Sequence, residues 1–85
     1  MIFVLAPPHI YDHHYHGPVV EMVMSVAKAR TTCGKRGAPG DACSWTEHGT
    51  CYIVIPRGGP VKGLASYRRH EVAHCNGWPA SHRAF

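Results

Sequence analysis

Residues 70–74 read HEVAH, and the chain continues through Cys75-Asn76-Gly77-Trp78. On a helix, His70 and His74 lie one turn apart on nearly the same face, so both imidazoles can point at one metal ion. Glu71 then projects beside the pair, where its carboxylate can take a proton from a water molecule held by the metal. The stretch therefore predicts a helix that carries a metal site with an acid–base residue next to it.

The flanking residues favour a helix that ends soon after the second histidine. Residues 61–69 contain few helix breakers, and Pro60 is well placed at the first helical position. Gly77 can adopt the left-handed conformation that ends helices, and Pro79 prevents the helix from resuming. The two histidines are thus predicted to occupy the last turns of a helix, with a sharp turn directly after them.

A third metal ligand is predicted largely by elimination. A catalytic zinc site has three protein ligands and one position left for water. No Asp or Glu follows Glu71 in the sequence, and Cys75 projects about 100° away from His74 around the helix. The only later histidine is His82, so we expect one zinc ion per chain on His70, His74 and His82. The alternative for His82 is a surface histidine near the C-terminus.

The segment from Arg69 to His82 resembles the zincin metallopeptidases. The metzincin pattern HExxHxxGxxH is matched through Gly77, but its third histidine would fall at Ala80, and here it comes two residues later. The segment is more similar to small, uncharacterised bacterial proteins described as metallopeptidases, which carry RHExxHCNGWP and a later histidine. Residues 51–56 support this resemblance more weakly. The resemblance implies zinc, a peptidase-like fold and Glu71 as general base, but no particular substrate.

Length and charge narrow the classes of protein and partner. The 85 residues make one domain, residues 1–85, whose small core is marginal without cross-links or metal. The net charge of +4 is spread along the chain without the aromatic-interleaved basic stripe that grips nucleic acid. No stretch approaches the roughly 20 apolar residues of a membrane span. Nucleic acid and a membrane are therefore not the expected partners, and the resemblance to metallopeptidases implies a peptide or protein substrate.

Outside the active-site helix, the chain predicts a small α+β domain with a short mixed sheet and one further short helix. Residues 19–24 are β-prone, residues 25–32 suit a helix with Ser25 as N-cap, and residues 51–55 form a strong strand that ends at Pro56. Because this last strand directly precedes the active-site helix, we expect it to lie along the cleft and to offer an edge to an extended peptide.

The N-terminal part carries two further expectations. Residues 1–6 are apolar but lack the basic region and the length of a signal peptide, so they are expected to be a buried strand or a clipped segment. Residues 7–18 are expected to form a loop. Its histidines (His9, His13, His14 and His16) can bind metal, but their close spacing and the flanking prolines favour an exposed cluster without a structural role.

The cysteines leave the pairing and the compartment open. Cys43 and Cys51 flank residues 44–50, which are interpreted as a hairpin loop, so a bridge across that loop is one candidate, with Cys33 and Cys75 then as the other pair or as free thiols. Four cysteines allow three pairings. Disulfides would be consistent with an extracytoplasmic location without proving it. A structural zinc site built from cysteines is disfavoured because no CxxC pair is present.

The sequence is consistent with three functions. The first is a minimal zinc metallopeptidase or amidase in which Glu71 is the general base. The second is a zinc-binding module of zincin fold that acts in binding or assembly with little turnover, and the third is a basic nucleic-acid-binding domain supported only by charge and histidine content. A peptidase also needs a donor for the transition-state oxyanion, for which Tyr67, Tyr52 and Arg83 are the candidates.

Overall fold

The computed structural model describes residues 5–58 and 64–82. Within these residues, the elements are β1 (Val19–Ser25), α1 (Val26–Lys35), β2 (Cys43–Glu47), β3 (Thr50–Arg57) and α2 (Leu64–Cys75). The strands form one mixed sheet in the order β1-β3-β2, in which β1 is parallel and β2 antiparallel to β3. The predicted small α+β domain, with its short mixed sheet and two helices, is confirmed.

The central strand β3 divides the core into two layers. Successive side chains of a strand point to opposite faces of the sheet. Val54 packs with Ala29 and Cys33 of α1 on one face, whereas Ile53 and Ile55 pack with α2 on the other. All five residues are fully buried. The sheet therefore lies between the two helices, and the face that holds α2 is also the face that positions the candidate site.

Helix α1 begins where the sequence predicts. The Ser25 side chain accepts a hydrogen bond from the backbone N–H of Lys28 at 3.2 Å, which confirms Ser25 as the N-cap. The helix continues to Lys35, three residues beyond the predicted end at Thr32. Residues 36–42 connect it to β2 without a helix or a strand.

The interpretation of residues 44–50 as a loop is wrong, because most of them form β2. The turn consists only of His48 and Gly49, whose φ angles of 50° and 80° suit the tight two-residue turn of a β-hairpin. As a consequence β3 has a neighbour on each side, and the expectation that it offers a free edge to a peptide is also wrong. Strand β3 does not stop at Pro56 either, since Pro56 pairs in register with Met24.

The disulfides are Cys33–Cys43 and Cys51–Cys75. The candidate bridge between Cys43 and Cys51 is therefore not the one that forms. The reason is that Cys43 packs with α1 on one face of the sheet, whereas Cys51 packs with α2 on the other. Each bridge instead fastens one helix to the sheet, and Cys75 fastens α2 immediately after His74.

Removing the Cys51–Cys75 bridge by a Cys51→Ala/Cys75→Ala double substitution is expected to lower the free energy of unfolding by about 3 kcal/mol, because the bridge restrains a long loop of the unfolded chain. Its cysteines are 24 residues apart, against 10 for Cys33–Cys43, so the matched Cys33→Ala/Cys43→Ala protein should lose slightly less. Urea unfolding followed by circular dichroism measures both losses. Midpoints equal to that of the wild type would contradict a stabilising role.

Some expectations concern residues that the structure does not describe. Residues 1–4, which make up most of the expected N-terminal strand, lie outside the described residues. Pro60, the expected start of α2, lies outside them as well. Leu5 and Ala6 are described; both are exposed and lie outside any strand.

Residues 7–18 form the expected loop, and this loop is fastened to α2. Asp12 makes an ion pair with Arg69, and the side-chain amide of Asn76 donates to the carbonyls of Tyr11 (3.1 Å) and His13 (2.6 Å). These contacts hold the N-terminal segment against the helix that carries the HEVAH stretch.

Candidate metal centre

Helix α2 brings the first two predicted ligands together. His70 and His74 lie one turn apart, and their Nε2 atoms are 3.1 Å from each other. Gly77, with φ of +107°, ends the helix as expected, and the backbone N–H of Trp78 donates back to the carbonyl of Ala73 at 3.1 Å. The reversal directs the following residues back toward the two imidazoles.

His82 completes the group after this reversal. Its backbone N–H donates to the carbonyl of Pro79 at 2.8 Å, and its φ angle is 62°. The Nε2 atom of His82 is 3.2 Å from the Nε2 atoms of both His70 and His74. The three histidines expected from the sequence are thus the ones that the structure brings together, and they could hold a metal ion.

Two backbone carbonyls determine which ring nitrogens face inward. Nδ1 of His70 donates to the carbonyl of Leu5 at 2.7 Å, and Nδ1 of His74 donates to the carbonyl of Trp78 at 2.8 Å. A neutral imidazole with its proton on Nδ1 carries a lone pair on Nε2. Both rings therefore present a lone pair to the shared centre, which is the arrangement that a metal ion requires.

The environment also favours uncharged rings. Burial lowers the pKa of His70, the neighbouring His74 and His82 lower it further, and the hydrogen bond to Leu5 opposes them. Burial likewise lowers the pKa of His74, with a smaller lowering from His82 and an opposing hydrogen bond to Trp78. Neutral imidazole is the form that binds metal. The lowered pKa values therefore favour the metal-binding form of both rings at neutral pH.

Glu71 lies beside the triad formed by His70, His74 and His82, and it is only 5 % exposed. Burial raises its pKa to about 7, although a hydrogen bond from Ser44, which lowers the pKa, partly offsets this effect. The Ser44 hydroxyl donates to Oε1 of Glu71 at 2.9 Å. A carboxyl group with a pKa close to neutral pH is suited to accept and return a proton.

Ser44 is the site residue that the sequence interpretation missed. It lies on β2, the strand interpreted as a loop, and it faces α2 because its neighbours Cys43 and Trp45 face α1. The alternation of apolar and polar residues from Cys43 to Thr46 was the signal that could have revealed it.

The triad and Glu71 open into a cavity of about 380 Å³. Its other lining residues include the small, uncharged Ala38, Pro39 and Ala42. Neither tyrosine proposed as an oxyanion donor lines this cavity. Tyr67 is buried in the core beneath α2, where burial and the nearby Asp41 raise its pKa, and Tyr52 stacks on Trp45. Arg83 lies outside the described residues.

The N-terminal histidines do not form a group of three possible ligands within the described residues. Of the described residues, only His70, His74 and His82 form a group of three that could share a metal ion. The rings of His13 and His16 are 6.3 Å apart, and both residues are exposed.

Neither a family profile, nor a curated protein, nor a solved structure matches this chain. In the part of the chain that the structure describes, no helix has the length and apolar character needed to cross a membrane. The two disulfides are compatible with an extracytoplasmic location. The site geometry therefore carries the functional argument alone.

The buried Glu71 predicts a dependence of stability on pH in metal-free protein. Its carboxyl binds a proton more tightly when folded (pKa about 7) than when unfolded (4.5), so this group makes the fold less stable as pH rises from 4.5 through 7. At pH 8, Glu71→Gln is expected to be more stable than wild type by about 3 kcal/mol. The gain should shrink toward zero near pH 4.5.

Urea unfolding in the presence of a chelator measures this difference. His70 and His74 are present in both the wild type and Glu71→Gln, so their contributions to the pH dependence of stability cancel to first order in the difference. A gain that is the same at pH 5 and pH 8 would show that the charge of Glu71 is not its cause.

Proposed function

We propose that this protein is a zinc-dependent metallopeptidase that hydrolyses peptide or amide bonds, as a minimal member of the zincin type. The observation that carries the proposal is the convergence of three Nε2 atoms within 3.2 Å of one another beside a buried carboxylate. Two of these atoms carry lone pairs fixed by backbone hydrogen bonds. The two fixed lone pairs, on His70 and His74, lie 3.1 Å apart and repel each other unless a positive group lies between them.

The separations favour zinc as the ion. A tetrahedral zinc site with Zn–N bonds of about 2.0–2.1 Å separates its nitrogen atoms by about 3.3 Å. The triad has Nε2 separations of 3.1–3.2 Å, so small side-chain movements suffice. Three histidines that leave a fourth position toward a cavity are also the ligand set of a catalytic zinc site.

The chemistry divides between the ion and the chain. When bound, zinc supplies a Lewis acid that polarises the scissile carbonyl and acidifies a water molecule. Glu71 accepts the proton of the attacking water and returns it to the leaving amine. Ser44 fixes Oε1 of Glu71, which leaves Oε2 for this exchange. The cavity of about 380 Å³ accommodates a peptide segment next to the triad.

One observation favours an alternative, a zinc-binding module that acts in binding or assembly with little turnover. No tyrosine or arginine among the described residues lines the cavity, whereas amide hydrolysis gains from a donor to the developing oxyanion. Under this alternative the protein binds zinc and has the same fold, but it hydrolyses peptides slowly or not at all.

Metal analysis combined with turnover tests the proposal. The protein is stripped with a chelator, reloaded with one equivalent of zinc, and incubated with a broad library of peptides whose cleavage is followed by mass spectrometry. Cleavage that disappears on stripping and returns with zinc supports a peptidase. Stoichiometric zinc without cleavage favours the binding module, and failure to bind zinc overturns both.

A further inference from the structure

Trp78 contacts every member of the triad. Its ring centroid lies 4.9 Å from that of His70, 4.8 Å from that of His74 and 4.9 Å from that of His82. The three imidazole centroids lie 4.8–5.0 Å from one another. The four rings therefore occupy the corners of an almost regular tetrahedron, and the indole is the only one of them that is not a candidate ligand.

The indole touches the imidazoles in two ways. It lies parallel to the His74 ring, with an interplanar angle of 13°, and meets the rings of His70 and His82 at 63° and 77°. Stacked and edge-to-face arrangements are the favourable geometries for aromatic pairs. Each imidazole is thus restrained in a different direction by one rigid side chain that is only 3 % exposed.

The backbone of the same residue acts on the site as well. The carbonyl of Trp78 accepts the Nδ1 proton of His74 at 2.8 Å, which fixes the tautomer. The N–H of Trp78 donates to the carbonyl of Ala73 at 3.1 Å and closes the reversal that brings His82 back. Position 78 therefore links the helix that carries two candidate ligands to the segment that carries the third.

We propose that Trp78 is a positioning residue that holds the three imidazoles in their metal-binding arrangement before the metal arrives. The inference rests on the metal site of the proposed function and not on turnover. Its physical basis is preorganisation, because side chains that are already ordered lose less conformational entropy when a ligand binds. His82 gains most from this contact, since it is exposed and lies on a short segment after the helix.

Metal binding strengthens the same contact. An imidazole that donates its lone pair to a divalent cation becomes more positive, and a positive ring is attracted to the electron-rich face of an indole. The parallel stacking of His74 on Trp78 places that face where the attraction is largest. A smaller aromatic ring retains part of this effect, whereas an aliphatic side chain loses it.

A purely structural role is the competing explanation, in which Trp78 only covers the end of α2. Metal affinity and the cobalt spectrum distinguish the two, because Co²⁺ absorbs visible light with an intensity that depends on its ligand geometry. Four variants are compared: Trp78→Leu, Trp78→Phe, and Trp45→Leu with Trp45→Phe as matched controls. Trp45 stacks on Tyr52 and Arg36 and does not line the cavity.

Trp78→Leu is expected to bind Co²⁺ and Zn²⁺ about 10–100-fold more weakly, the usual loss when a group that orients ligands is removed. Its cobalt spectrum should also change, because the ligands no longer have a fixed arrangement. Trp78→Phe should recover most of the affinity and a spectrum close to that of wild type. Both Trp45 variants should bind as wild type does. Wild-type affinity and spectrum in folded Trp78→Leu would overturn the inference.

Fluorescence keeps the inference testable if Trp78→Leu does not fold. Trp45→Phe leaves Trp78 as the only tryptophan, and Trp78→Phe leaves Trp45. Stoichiometric Co²⁺ should quench most of the emission in the first protein and little in the second, because quenching falls steeply with distance. Unchanged Trp78 emission on cobalt binding would overturn the proposed contact. Wild-type protein that binds neither metal would instead overturn the metal site itself, and with it the proposed function.

Discussion

Replacing Glu71 by Gln is expected to reduce peptide turnover by about 10²–10⁴-fold, because a neutral amide cannot accept the proton of the attacking water. Zinc content should not change, since the proposed ligands are His70, His74 and His82. The Gln side chain has nearly the same shape and can still accept the hydrogen bond from Ser44, so the fold should persist. Initial rates on a cleaved library peptide, measured together with bound zinc, give both quantities.

Glu47→Gln is the matched control. Glu47 ends β2 on the surface, where it makes only a long ion pair with Arg36 at 3.8 Å, so this substitution should leave the rate unchanged. Equal turnover by Glu71→Gln and wild type would exclude Glu71 as the general base. If zinc is bound in that case, the binding-module function becomes the better explanation of the site.

The candidate ligands were predictable because short-range rules determine their placement. The spacing of His70 and His74 fixes their common face as soon as the segment is helical, and Gly77 fixes where the helix ends. His82 followed from the absence of any other suitable ligand after the turn. The N-cap at Ser25 was predictable for the same reason, because its side chain accepts a hydrogen bond from the backbone N–H of Lys28, only three residues away.

The features that the sequence did not predict depend on which face of the sheet a residue occupies. The pairing of Cys43 and Cys51 was a candidate because they flank a short segment of the chain, but the sheet separates them. Ser44 faces Glu71 for the same reason: β2 pairs with β3 in a register that places Ser44 opposite Ile53, on the α2 side. Because residues 44–50 were interpreted as a loop, the alternation of faces along β2 was not predicted, and neither was the contact of Ser44 with Glu71.

The mistaken role of β3 has the same cause. Its position directly before α2 in the chain suggested that it borders the cleft, but a strand is an edge only if one side is unpaired. Both β1 and β2 pair with β3, and the strand that lines the cavity is β2, through Cys43 and Ser44. Sequence order does not fix strand order in a mixed sheet, because a crossover can place any strand at the centre.

Replacing His82 by Ala is expected to weaken zinc binding by at least about 100-fold. The free energy of binding at a four-coordinate zinc site is about 10–16 kcal/mol, so each ligand accounts for about 3 kcal/mol or more. Two histidines on one helix also leave two positions for water, which holds the ion poorly. Competition with a chromogenic chelator gives the affinity, and the melting temperature with and without zinc gives the coupling of metal to fold.

His48→Ala controls for the backbone. His48 and His82 both have positive φ angles, 50° and 62°, and alanine is similarly strained at either position, so the two substitutions share this cost while only one removes a proposed ligand. His48→Ala should keep wild-type zinc affinity and the increase in melting temperature that zinc produces, whereas His82→Ala should lose most of both.

Zinc removal from wild type should likewise loosen the segment from Trp78 to His82 and change its tryptophan fluorescence. Unchanged zinc affinity in His82→Ala would assign the third ligand to another residue. A melting temperature of the wild type that stays constant on zinc removal, under oxidising and reducing conditions alike, would show that the metal does not stabilise the fold.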